Sequence, residues 1–241
     1  MKVLVLGATG ATGRHVVKQL LDNGIEVTAI VRSMLKLTAL EKNSGLEVIT
    51  ASILEMDTAT LSKLVYDVDA VVSCLGHTIS FKGIWGKPYY LVTDATRKTC
   101  EAIRINKKER VTKFILMNTT ACLDLDLHEK QTFAGQIVMS VLRFLLPPQK
   151  DNEQAVLYLK RNIGKDDSYI EWIAVRPDTL INEKSVTGYT VHNTLLRNPV
   201  FNAGRTSRIN VGHFFMTLLR DERQWEQWKY QMPVIYNECA E

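Results

Sequence analysis

Hydrophobic residues fall along this chain in two alternating rhythms. Val3-Leu4-Val5-Leu6 is a short continuous apolar run, the mark of a strand buried on both faces of a parallel sheet. Residues 15–23 then place Val16, Val17, Leu20 and Leu21 on one helical face, and Gly24 ends that helix. The alternation predicts further strands over 26–31, 46–50, 70–74, 112–117 and 170–175, separated by helices over 59–66, 90–105 and 152–162. Towards the carboxyl end it predicts a helix over 211–219 and a short strand at Pro233-Val234-Ile235-Tyr236 that closes the sheet edge. Strand and helix in strict alternation define an α/β fold: a doubly wound, mainly parallel Rossmann sheet with helices on both faces. No linker or low-complexity stretch divides residues 1–241, so we read one domain, with 177–232 contributing a small elaboration on the substrate side.

Two segments depart from the rhythm. The connection 76–88 holds Gly76, Gly83 and Gly86 with Phe81 and Trp85, and long loops after a strand are places of function or motion. Residues 132–146 form an apolar, helix-like insertion stopped by Pro147-Pro148, read as a packed core helix, with a lid or subunit contact as the alternative. Its longest apolar run, 137–146, is interrupted by Ser140 and Arg143 and is too short to span a bilayer. The amino terminus turns into glycines after five apolar residues, so it reads as a strand and not as a signal peptide.

Composition narrows the classes. An apolar fraction of 46% and a charged fraction of 23% exclude disorder and fibrous repeats. Thirty basic against twenty-six acidic residues leave +4, scattered along the chain, which is no footprint for nucleic acid. Cys74, Cys100, Cys122 and Cys239 lack CxxC or metal-ligand spacing, which predicts free thiols, no metal site and a cytoplasmic protein.

The chemistry sits in the first turn. Gly7-Ala8-Thr9-Gly10-Ala11-Thr12-Gly13 lies between the first strand and the first helix, the context a dinucleotide site requires. Gly7 permits the tight turn, Gly10 lets backbone approach a pyrophosphate, and Gly13 lets helix and strand pack closely; Thr9, Ala11 and Thr12 complete the cradle. The helix start adds unpaired N–H groups and the positive end of its dipole. An NAD site calls for an acidic residue about twenty positions on. Here the second strand ends Ala29-Ile30-Val31-Arg32-Ser33, with Lys36 a helical turn later and no carboxylate, so Arg32, Ser33 and Lys36 predict NADP(H) in preference to NAD(H).

The glycine turn, Arg32 at the end of strand two and Val175-Arg176-Pro177 together resemble the atypical short-chain dehydrogenases/reductases. Within these the chain is most similar to the NmrA-like and flavin/biliverdin reductase group. The segment Thr206-Ser207-Arg208-Ile209-Asn210-Val211 is similar to a late pattern of that family, with Asn210 in place of its Asp. The resemblance implies further roles. Ser52 and Ile53 would border the adenine, Leu75, Gly76 and His77 would line the ribose and nicotinamide, and Asn118 would stand beside Thr119, in register with the family's catalytic hydroxyl. Pro177 would face the carboxamide, and Lys150 would replace the ribose-binding lysine. The family's usual Tyr with Lys four residues on is missing: none of the eight tyrosines has Lys in that place. That disfavours alcohol–ketone chemistry, since the lysine lowers the tyrosine pKa and holds the ribose. The expected activity is hydride transfer to a small conjugated or aromatic acceptor, a quinone, flavin or similar, with Thr119 and His77 as catalytic candidates. The alternative is a non-catalytic NADP(H) sensor with a protein partner; a cofactor-independent assembly factor is a third reading. In each case the chain is expected to be a monomer or homodimer without nucleic-acid or membrane partners.

Overall fold

The computed structural model describes residues 1–33, 43–77, 85–129 and 147–238. Ten strands are present among the described residues: β1 (Lys2–Leu6), β2 (Glu26–Val31), β3 (Leu46–Thr50), β4 (Ala70–Ser73), β5 (Thr112–Met117), β6 (Ile170–Pro177), β7 (Thr179–Ile181), β8 (Tyr189–His192), β9 (Arg205–Ser207) and β10 (Val234–Asn237). The helices are α1 (Gly13–Asp22), α2 (Thr58–Tyr66), α3 (Leu91–Asn106), α4 (Pro147–Tyr158), α5 (Arg208–Arg220) and α6 (Glu222–Trp228). Eight strands form one sheet in the order β3-β2-β1-β4-β5-β6-β10-β8, and β7 pairs with β9 in a second, two-stranded sheet.

The main sheet is parallel from β3 to β10, and its side chains divide with period two between two cores. Val3 and Val5 join α1, α5 and α6 on one face, while Leu4 and Leu6 join α2, α3 and α4 on the other. Both faces are covered, which is why the strands read as continuous apolar runs. Helix ends follow local chemistry. Asp57 accepts the Thr60 N–H at 2.8 Å to start α2, and Ser207 Oγ accepts the Asn210 N–H at 3.2 Å to start α5. Gly212 on α5 packs so closely on α1 that a Cβ would lie 3.1 Å from His15 C and Val16 N.

The structure adds to or departs from the expectations at three points. β10 is not the edge: β8 lies outside it, antiparallel, pairing Ile235 with Val191. Strands β7, β8 and β9 are too short, at three or four residues, and too mixed in burial to give a period-two signal. Pro147-Pro148 open α4, because proline fits a first helical turn, whose N–H groups have no intrahelical acceptor. The segment 132–146 lies outside the described residues, as do Lys36, Phe81, Gly83 and Cys239.

Candidate functional site

The parallel strands carry the described candidates that follow them to one end of the sheet, their carboxyl ends, where such sheets bind ligands. The glycine turn divides its labour. Gly7 has φ +76°, and a Cβ there would lie 2.6 Å from the Cys74 carbonyl oxygen at the end of β4. A Cβ on Gly13 would lie 2.1 Å from the Gly7 oxygen, so α1 could not seat against the turn. Gly10 differs: its N–H donates to Gly7 O at 2.9 Å, and a Cβ would meet only that oxygen, at 3.1 Å. Two glycines therefore serve packing, and the middle one keeps open the surface that a Cβ would fill.

The start of α1 suits an anion. Thr12 precedes it without a side-chain cap, and no acidic residue stands in the first turn. His15, one turn in, has its pKa lowered by burial and then by the positive charges of Arg14 and Arg208. The turn thus satisfies on geometry and charge what a dinucleotide pyrophosphate needs.

At the end of β2, Arg32 and Ser33 are exposed. The Ala51 N–H donates to Val31 O at 2.9 Å, which brings the end of β3 alongside. Ser52 begins a turn there, its carbonyl accepting from Glu55 and Met56, and Ile53 is buried beneath.

The loop after β4 is held by a residue that sequence reading missed. Asp151, on the first turn of α4, has a fully buried side chain. It accepts the Val92 and Thr93 N–H groups at 2.8 Å each, capping α3, and binds His77 Nε2 at 2.8 Å. Burial pushes its pKa up, but hydrogen bonds from His77, Thr93 and Val92 outweigh burial and hold the carboxyl below the usual range. The next residue, Asn152, accepts from Asn118 Nδ2 at 3.0 Å, and Asn118 Oδ1 accepts the Thr119 N–H at 2.8 Å. Asp151-Asn152 therefore ties the loop after β4, the start of α3 and the end of β5 together. Thr119 is half-buried, its hydroxyl accepting from the Ala121 N–H at 3.3 Å, and Thr120 N–H reaches Pro177 O at 3.4 Å. Gly76 is exposed and Leu75 half-buried beside Gly7. Lys150 is exposed, with Nζ 5.9 Å from the centre of the Tyr90 ring.

Other residues prove structural. Burial pushes the Cys74 thiol up to about 12, which keeps it protonated. Exposed His128 ends a short 3₁₀ turn with φ +55°. Arg176 is fully buried and paired with Glu129 through both guanidinium arms, at 2.6 and 2.9 Å, and it also donates to the carbonyls of Met232, Cys122 and Asn193. Glu129 in turn accepts the N–H groups of Asp124 and Leu195. This lock joins the segment after β5 to the carboxyl-terminal strands. Only Arg176, within its Val-Arg-Pro triplet, signalled it; Glu129 carried no signal.

Fold and glycine turn together are those of a Rossmann-type dinucleotide-binding protein. The chain belongs to the NAD(P)H-binding family, whose model matches residues 7–222. It is 39% identical over 72 residues to a photosystem II assembly factor of Synechocystis, covering 30% of this chain and 21% of that one. It is 30% identical over 141 residues to the chloroplastic divinyl chlorophyllide a 8-vinyl-reductase of Arabidopsis thaliana, covering 54% and 32%. The chain spans about a third or less of the length of these two curated relatives. Among solved structures, a short-chain dehydrogenase/reductase of Veillonella parvula in complex with NADP shares the fold at TM-score 0.67 and 14% identity, covering 98% of this chain and 94% of that one.

Proposed function

We propose that the protein is an NADP(H)-dependent oxidoreductase that reduces a small conjugated or aromatic acceptor. The observation that carries this is the glycine turn, whose packing leaves open only the surface at Gly10, above an uncapped helix start. When bound there, the nicotinamide supplies a hydride; the residues of this chain bind, orient and shield. Gly7 to Gly13 and the α1 N–H groups would hold the pyrophosphate, with Ser52 and Ile53 beside the adenine. Arg32 would hold a 2′-phosphate through its guanidinium fork, a preference supported by the lack of a carboxylate between Val31 and Ser33. Asn118, fixed by Asn152, would set the nicotinamide side, and Thr119 would donate a hydrogen bond from its hydroxyl to charge developing on the acceptor.

His77 becomes a positioning residue in this reading. Its ring is bound to Asp151 and 6% exposed, which suits ordering the β4 loop better than releasing a proton. Without a Tyr/Lys pair, protons come from water, as hydride transfer to a conjugated system allows. The likeness to a vinyl reductase supports this acceptor class. The cytoplasm is the proposed compartment, supported by the buried free thiols of Cys74 and Cys100.

NADPH oxidation against a panel of quinones and flavins tests the reading. Turnover is expected, and Thr119→Ala should lower kcat by roughly 10²-fold with cofactor affinity kept. Cofactor binding without consumption by any acceptor would favour a second reading, a non-catalytic NADP(H) sensor acting on a protein partner. The likeness to an assembly factor is the observation on its side.

A further inference from the structure

None of the residues assigned above lines the cleft bounded by β8, β9 and β10. It measures about 850 Å³, within the range of roughly 300–1,000 Å³ that holds small molecules. It opens at the carboxyl end of the sheet, beside the proposed nicotinamide position. Pro177 pairs in register with Ile235, so Tyr236 on the cleft wall stands one residue past the level of Pro177. Asp178, directly after Pro177, accepts the N–H of Gly204, which also lines the cleft.

The lining has a definite chemistry. Ile181, Leu196, Ala203 and the Tyr236 ring give it apolar walls suited to a flat body. Gly204 makes room for that ring: a Cβ there would lie 2.5 Å from Tyr236 Cδ1. The Tyr236 hydroxyl is buried and has no hydrogen-bond partner among the described residues, although it lies near the N–H groups of Leu196 and Arg197. Buried hydroxyls rarely stay unpartnered. Two acid side chains also line the cleft. Glu183 accepts from Thr187 Oγ1 and Asn237 Nδ2, and Glu238 lies over Gly188. Arg205, exposed on β9, pairs with no carboxylate among the described residues.

We propose that this cleft is the acceptor site and that it selects a flat, conjugated molecule carrying a carboxylate. Arg205 takes the carboxylate, the apolar walls take the ring system, and the Tyr236 hydroxyl donates to a polar atom of the ring. This rests on the reductase reading above, and it adds a charge requirement that the reading does not contain.

The test uses a matched pair, anthraquinone-2-carboxylate and anthraquinone-2-carboxamide. Each is titrated by calorimetry into the protein saturated with NADP⁺, then assayed for NADPH oxidation. The carboxylate should bind about tenfold more tightly than the amide. Arg205→Gln should erase that difference by raising Kd and KM for the carboxylate, with kcat and NADP⁺ affinity kept. Tyr236→Phe should weaken both compounds alike. Equal binding of the two compounds, no effect of Arg205→Gln, or no binding of either at about 1 mM would overturn the proposal. The two readings fail separately. Arg205-dependent binding without NADPH consumption keeps the cleft and removes the reductase; equal turnover of both compounds regardless of Arg205 does the reverse.

Discussion

The two ends of this chain reach the same sheet by different physics. From β1 to β5 the strands are held by apolar side chains alternating between two cores, with few buried polar groups. Beyond Pro177 the structure is held by a buried polar chain. Asp178 N–H donates to Thr206 Oγ1, Thr206 donates to Ile235 O, and Ser207 N–H donates to Asn237 Oδ1. Asn210 binds Asn237 and both the N–H and hydroxyl of Thr187. Hydrophobic burial is non-directional and tolerates substitution of similar volume, whereas a buried polar network fixes one geometry and fails when one member is lost. The nucleotide end needs a stable platform. The proposed acceptor cleft needs a specified shape.

The sharpest way to break this contrast is at the lock between the ends. Arg176→Met leaves Glu129 buried without its cation, and we expect a loss of about 3–5 kcal/mol in chemical denaturation. A similarly sized apolar change in the platform, Leu4→Met, should cost less than about 1.5 kcal/mol. Equal losses would remove the distinction.

Asp151→Asn comes next. It weakens the α3 cap and the His77 contact together, at a cost of about 2 kcal/mol. The sign of its pH dependence follows from the depressed pKa. The Asp151 contribution is complete above the unfolded carboxyl pKa and is lost as pH falls through the lower folded value. Wild type should therefore lose stability into acid more steeply than the asparagine variant, as read by unfolding midpoints from pH 6 down to about 3.

Arg32→Gln should cost about tenfold in NADPH affinity and leave NADH affinity unchanged, by calorimetry. The smallest effect is at His15. Its imidazole titrates below its ordinary range in the free protein, and phosphates placed at the α1 start should raise it. NADP⁺ binding should then take up protons between pH 7 and about 6, and the His15 NMR titration should move up on addition of NADP⁺. An unmoved resonance would place the phosphates elsewhere.

How much was legible in the sequence follows the same division. Strands β1 to β6 and the helices between them were readable because burial on both faces imposes continuous apolar runs, and the glycine turn because only glycine meets its close contacts. Asp151 was not readable, since its partners Val92 and Thr93 lie 59 and 58 residues away and present only backbone. Asn210, seen as a departure from a family pattern, is a full member of the polar chain; its amide both donates and accepts where an aspartate would only accept. Strands β7 to β9 depend on such contacts and left no periodic trace.

The central claim is that the turn from Gly7 to Gly13 binds NADP(H). It is tested most directly by the unfolding midpoints of wild type and Gly10→Ala with NADPH, NADP⁺, NADH and NAD⁺. A ligand at a hundred times its Kd adds about 2.7 kcal/mol, a rise of roughly 5–10 °C for a chain of this size. That rise is expected for wild type with NADPH and NADP⁺, a smaller one with NADH and NAD⁺, and none for a Gly10→Ala variant of unchanged intrinsic midpoint. No rise in wild type with any of the four, or an undiminished rise in Gly10→Ala, would contradict it.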